Sequence, residues 1–188
     1  MMLARSQANR NLAVISATIF ANVFFIYTWT PLLPLHFRAL GANDWEIGIS
    51  FTLLGIARTL FAIVGGALAD RFGRKLLLTL PHLFSALLYM LAGALTDWVV
   101  LVAILICINA LNALVTPAFN AIIVESVTED RVARAFSISE AAVLLGLIGG
   151  PLAGAALLPI FDIPKLIVLY GAVLLLTVGA RYFGIAEP

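Results

Sequence analysis

Charged side chains are scarce in this chain. Asp, Glu, Lys and Arg make up 11% of its 188 residues, while 63% are hydrophobic. Soluble domains carry about a quarter charged and about half apolar residues. A water-soluble fold of this size cannot bury so much apolar side chain, so lipid is the solvent for its outer surface. The net charge is only +1, which excludes the broad basic surface of a nucleic-acid binder. Cysteine is nearly missing. Cys107 stands alone in an apolar run, so there is no disulfide framework and the expectation is one buried thiol. Two histidines, His36 and His82, are too few and too scattered for a metal centre. No His/Asp/Glu cluster, nucleophile elbow or metal-ligand spacing marks an enzyme, and no cofactor is expected.

What the chain has in abundance is long apolar runs. A helix needs about 20 apolar residues to cross the hydrocarbon core. Charged or turn-forming breaks give six such runs, at Asn11–Leu35, Glu46–Ala69, Lys75–Leu95, Trp98–Val124, Val132–Leu158 and Pro164–Phe183. They are too long and too apolar for barrel strands, so all six are predicted to be helices. The first follows Arg5 and Arg10 as a signal peptide's core does. It is far longer than such a core and no small-residue cleavage site closes it, so it reads as a retained span. With the N-terminus placed in the cytoplasm, Arg5, Arg10, Arg71, Arg74, Lys75, Arg131, Arg134 and Arg181 fall inside and only Arg38 and Lys165 outside. Lys and Arg concentrate on the cytoplasmic side of membrane proteins, so both termini are expected there, in the cell membrane.

An internal echo divides the six runs. Gly65-Gly66-Ala67-Leu68-Ala69 and Gly149-Gly150-Pro151-Leu152-Ala153 match at both glycines, the leucine and the final alanine, 84 residues apart. They lie in the second and fifth runs, the middle members of two triplets. Three helices is an odd number, so the second triplet starts on the opposite side of the membrane. The expectation is one six-helix bundle made of two inverted repeats, about 11–95 and 98–183, a building plan of secondary transporters.

The richest stretch follows the second run. Gly66-Ala-Leu-Ala-Asp70-Arg71-Phe-Gly73-Arg74-Lys75 resembles the signature between the second and third helices of the major facilitator superfamily. Leu33-Pro34-Leu35, Leu40-Gly41 and Ile47-Gly48 resemble that family's first outer loop. Physically, Asp70 is read as following a helix C-terminus, where the dipole disfavours a carboxylate and favours Arg71, Arg74 and Lys75. Gly73 permits a turn at positive φ. The resemblance implies a gate. The Asp of this motif touches the opposite half of the transporter, and the Arg at the Arg74 position pairs with an acid at the end of helix four, where Glu125 stands.

Polar residues also occur at membrane depth. Asn109, Asn112, Thr116 and Asn120 recur at i, i+3, i+7 and i+11, one stripe of a helix loosened by Pro117. Thr18, Asn22, Phe25 and Trp29 have a similar period in the first run. The resemblance implies that helices one and four line a central cavity, where amide and aromatic groups meet a small solute. Arg58 stands about 18 Å from the end of its run and Glu140 roughly 12 Å into the fifth. A charge so deep faces a partner or a water-filled cavity, so the two either pair with each other or look into the cavity from opposite walls. Gly146, Gly150, Pro151 and Gly154 resemble the Gly-Pro motif of proton-antiporting members, and small residues let another helix approach closely. Ser137 and Ala155 depart from that motif. Leu105, Ile106 and Cys107 occupy the region of helix four where the family usually has an arginine, which unsettles its standard proton coupling.

Together these features predict an all-α integral membrane bundle, half of a twelve-helix major facilitator fold. It would move a small organic or drug-like solute by alternating access, as proton-coupled efflux. A channel or a non-transporting assembly subunit is the alternative. Its partners are the lipid bilayer, the solute, protons and a second six-helix bundle, either a C-terminal half or another copy. The chain is accordingly expected to be a piece of a longer protein or a natural half.

Overall fold

The computed structural model describes residues 2–125 and 127–184, and the side chains of residues 10–68, 71–124 and 127–184. Its helices are α1 (Met2–Tyr27), α2 (Leu33–Ala39), α3 (Asp44–Phe72), α4 (Arg74–Ala92), α5 (Trp98–Glu125), α6 (Val132–Leu157) and α7 (Ile163–Gly184). Short 3₁₀ turns at Thr30–Leu32 and Glu129–Arg131 precede α2 and α6. Among the described residues, six stretches are long and apolar enough to cross a membrane.

Two boundaries differ from the sequence expectation. The first span is not one unbroken helix. α1 stops at Tyr27, the chain turns through Thr30–Leu32, and α2 carries the span on to Ala39. Pro31 lacks an N–H and disfavours helical geometry at Thr30, so the α-helical ladder cannot pass it. The Thr28 and Thr30 hydroxyls donate back to the carbonyls of Phe25 (2.6 Å) and Ile26 (2.7 Å), satisfying the freed end. The second correction concerns Asp70 and Arg71, which lie in the last turn of α3 and not beyond it. Only Gly73 separates α3 from α4, at φ +88° and ψ +146°, a conformation open almost solely to glycine.

Three helices begin with side-chain caps on one end of the bundle. Asn43 and Glu46 exchange backbone and side-chain bonds at the start of α3 (2.8 and 3.0 Å), a capping box. Asp97 accepts from the amides of Val99 and Val100 ahead of α5. Asp162 accepts from the Lys165 amide and ammonium, both at 3.0 Å, ahead of α7. The Lys165 hydrogen bonds hold the Asp162 carboxyl below its usual range.

The principal pairings are α3 on α5, α1 on α6, α4 on both α7 and α5, and α1 on α7. Exchanging α1 with α5, α3 with α6 and α4 with α7 leaves this pattern unchanged. Two apolar clusters form the core. One gathers Trp29, Phe37, Tyr89, Leu105, Leu166 and Tyr170 toward the capped end, and the other Ile15, Leu78, Val115, Ile122 and Ala135 toward the Gly73 end. Large apolar side chains of α3, α4 and α6 are exposed, among them Ile63, Leu87, Leu145 and Leu152. Cys107, expected to be buried, is exposed as well.

Candidate functional site

A cavity of about 700 Å³ lies between the helices. α1 contributes Asn22 and Tyr27 to its wall, and α5 contributes Asn109, Asn112, Thr116 and Phe119. The i, i+3, i+7 spacing puts the α5 polar groups on one face, as the sequence predicts. Asn120 continues that face but is exposed and outside the lining. Periodicity fixes a helix face and does not fix how far along the axis a cavity runs, and here Phe119 is the last α5 residue in it. Asn109 donates to the Leu105 carbonyl of its own helix (2.9 Å), and Asn22 accepts from the Thr177 hydroxyl (3.2 Å). Trp29 reaches the cavity edge but is 2% exposed, packed at 5.7 Å against Tyr89, which in turn meets Tyr170 at 4.7 Å.

Arg58 and Glu140 both line this cavity, from α3 and α6. Arg58 sits midway along its helix. Both side chains are exposed, and no ion pair joins them among the described residues. Of the two geometries open from sequence, this is the one in which each faces the cavity.

Arg181 is the residue that sequence reasoning misplaced. Counted with the cytoplasmic surface charges, it is in fact 1% exposed and lines the cavity. Its Nε donates to the Thr18 hydroxyl (3.0 Å), Nη1 donates to His82 Nδ1, and its guanidinium lies 4.5 Å over the Phe119 ring. Nη2 has no partner. A signal for its depth was present in the sequence. Tyr170, Leu174, Thr177 and Arg181 repeat at i, i+4, i+7 and i+11, and all four are buried. His82, set aside as too isolated for a metal centre, becomes part of this cluster.

The glycines of α6 lie against α1. A Cβ added at Gly146 would stand 2.8 Å from the Phe24 amide nitrogen, and one at Gly150 2.5 Å from the Phe24 carbonyl oxygen. At Gly154 it would strike the Thr28 backbone. Pro151 lies within the same helix, which continues through it. On the other seam, a Cβ at Gly65 would lie 2.9 Å from Leu114 Cα.

The motif around Gly73 sits at the opposite end of the bundle from the caps. Arg71 is exposed, with its guanidinium 5.4 Å from the Phe72 ring, and the Lys75 ammonium is 5.1 Å from the Tyr182 ring. Gly66 is half-buried with open space around its Cα. Arg74 is half-buried and engaged in an interaction at the start of α4. The side chains of Asp70 and Glu125, and so the expected Arg74–Glu125 pairing, lie outside the described residues. Among the described residues, no group of three His, Cys, Asp or Glu side chains is placed to hold a metal ion.

The family profile of the Major Facilitator Superfamily matches residues 15–188. The chain is 27% identical to an uncharacterized MFS-type transporter of Methanocaldococcus jannaschii over 157 residues, 82% of this chain and 40% of that protein. It is 27% identical to the multidrug resistance protein MdtG of Proteus mirabilis, over 84% of this chain and 40% of that one. It is 30% identical to the class C tetracycline resistance protein of Escherichia coli, over 80% of this chain and 39% of that one. The chain thus spans about two fifths of the length of these curated relatives.

Proposed function

The chain belongs to the major facilitator superfamily, and from that premise we propose that it is one half of a secondary active transporter that exports a small organic solute. The observation that carries the reading is the cavity. Amides of α1 and α5 and the charges Arg58 and Glu140 share one space at membrane depth, where polar groups are costly unless they serve a pathway. The relatives named for multidrug and tetracycline resistance favour a drug-like solute, and a relative named a multi-drug resistance efflux pump favours export.

A single six-helix bundle supplies one wall of an alternating-access pathway, because access alternates when two bundles rock about a shared site. A second bundle, in the same longer chain or from another copy, completes the assembly. The symmetric helix pairing supports a division into repeats at about 11–95 and 98–183. Glu140 is the proton-coupling candidate, being the one carboxyl group among the described residues that line the cavity. Asp70, Gly73, Arg74 and Glu125 form the gate toward the cytoplasm. In this scheme both termini are cytoplasmic, and a cysteine placed at Ser6 labels only from that side while one at Asn43 labels only from outside.

The test uses the full-length protein in liposomes, with ethidium and tetracycline as probes. Transport against the concentration gradient under an imposed pH difference, lost when nigericin collapses it, is the expected result. Mere equilibration that ignores the pH difference would make the assembly a channel. Asp70→Asn is expected to slow flux while leaving insertion intact, and wild-type flux in that variant would reduce the motif to a topology signal.

A further inference from the structure

We propose that the buried guanidinium of Arg181 is an oxyanion subsite of the cavity, taking a carboxylate or similar singly charged oxyanion of the solute. The word solute rests on the transporter reading above, whereas the binding itself does not.

Among the described residues, every contact that Arg181 makes is neutral. Thr18 takes Nε at 3.0 Å, His82 takes Nη1 at its Nδ1, and Phe119 covers one face of the guanidinium. The Thr18 hydroxyl donates its own proton to the Ile15 carbonyl (3.0 Å), so its oxygen is turned to accept from Arg181. These contacts hold the fork in place without neutralising it. A buried cation with only neutral partners keeps its desolvation cost, and a counter-charge relieves that cost most directly.

The remaining donor has a destination. Nη2 is buried without a partner among the described residues, and Arg181 lines the cavity. Buried donors of purely structural arginines are normally all bonded, so an orphan beside a cavity points to something that comes and goes. The charge balance agrees: the described lining residues include two guanidinium groups, Arg58 and Arg181, and one carboxylate, Glu140. Glu140 does not bond Arg181, so that charge is left for an incoming anion. A guanidinium already held at two nitrogens and one face loses little side-chain freedom when an oxyanion docks.

The test is thermal unfolding of the full-length protein in detergent at constant ionic strength, titrated with acetate, benzoate or the neutral isostere benzamide. A saturable rise in Tm with acetate or benzoate and none with benzamide is expected. Arg181→Gln should raise the half-saturating concentration about tenfold or more, the loss of one charge-assisted contact. Thr18→Val removes only the acceptor beneath Nε and should raise it about threefold, which keeps the question decidable if the glutamine variant does not fold. The proposal fails if neither oxyanion outperforms benzamide, as when a side-chain carboxylate of the second bundle already occupies Arg181. It fails equally if half-saturation is unchanged in either variant. Oxyanion binding without driven flux would sink the transporter reading and leave the subsite standing. Driven flux without oxyanion binding would do the reverse.

Discussion

The two seams α6–α1 and α3–α5 answer to each other in the helix pairing but are built differently. α6 meets α1 through Gly146, Gly150 and Gly154, each of which brings backbone against backbone. α3 meets α5 with Gly65 alone in such a contact, while Gly48, Gly55 and Gly66 face open space. Lipid provides no hydrophobic force between helices, so close backbone approach through small residues is what locks a seam. The α6–α1 seam is therefore fixed along three turns, and the α3–α5 seam is pinned near one point. Each seam carries one cavity charge, Glu140 on the first and Arg58 on the second. From this difference we expect α6 with α1 to be the stationary wall and α3 the wall that slides.

Enlarging the glycines should separate the seams most strongly. Gly150→Ala and Gly154→Ala place a methyl group into backbone that cannot yield as a side-chain tip does, and each should cost about 2–3 kcal/mol of stability. Gly65→Ala meets one backbone segment and should cost about 1–2 kcal/mol. Gly66→Ala is the control. Its space is open, and alanine favours the helix, so it should be neutral or stabilise by up to about 1 kcal/mol. Unfolding of the purified protein in detergent measures all four. Equal losses on the two seams would erase the distinction between a fixed and a sliding wall.

How far this was legible in the sequence depends on whether a feature is local. The six spans follow from apolar run length, and the Asn109–Asn112–Thr116 face from period. The break after Tyr27 was signalled by Pro31 and Pro34 inside the first run, but an otherwise unbroken apolar stretch hid it. Asp70 and Arg71 looked like loop residues because they are charged, yet only Gly73 has a backbone geometry that ends a helix. Arg181 read as a topology charge because it stands near the end of the chain, although its spacing from Tyr170, Leu174 and Thr177 marks a buried stripe. Its contact with His82, 99 residues away, belongs to tertiary packing and left no local trace.

A second test probes how the sliding wall is tied down. α3 ends at Gly73, and the chain turns there at φ +88°. Any L side chain is strained in that conformation, so Gly73→Ala should cost about 1–3 kcal/mol even though a Cβ there would meet no neighbouring atom. If α3 is the moving wall, the same variant should slow flux by more than its stability loss explains, because the turn sets the angle between α3 and α4. A variant that loses stability but transports at the wild-type rate per folded molecule would uncouple this turn from motion and weaken the contrast between the seams.

The smallest expected effect on stability concerns the two charges that the seams carry. Arg58 and Glu140 are exposed to the cavity and share no ion pair. Removing either should therefore leave little behind that needs a partner. Arg58→Leu and Glu140→Leu should each change stability by less than about 0.5 kcal/mol, and the double variant should equal their sum to within a similar margin. Flux should respond quite differently. Each single change should lower gradient-driven transport about tenfold or more, and the double change should rescue nothing. Glu140→Gln should abolish coupling to the pH difference but spare solute exchange, because it keeps size and polarity while removing the carboxyl group. A coupling energy above about 1 kcal/mol would instead mean that the charges meet in the working protein. That result would require one wall to travel toward the other, and the pinning of α3 at Gly65 against the three-glycine lock on α6 makes α3 the wall that travels.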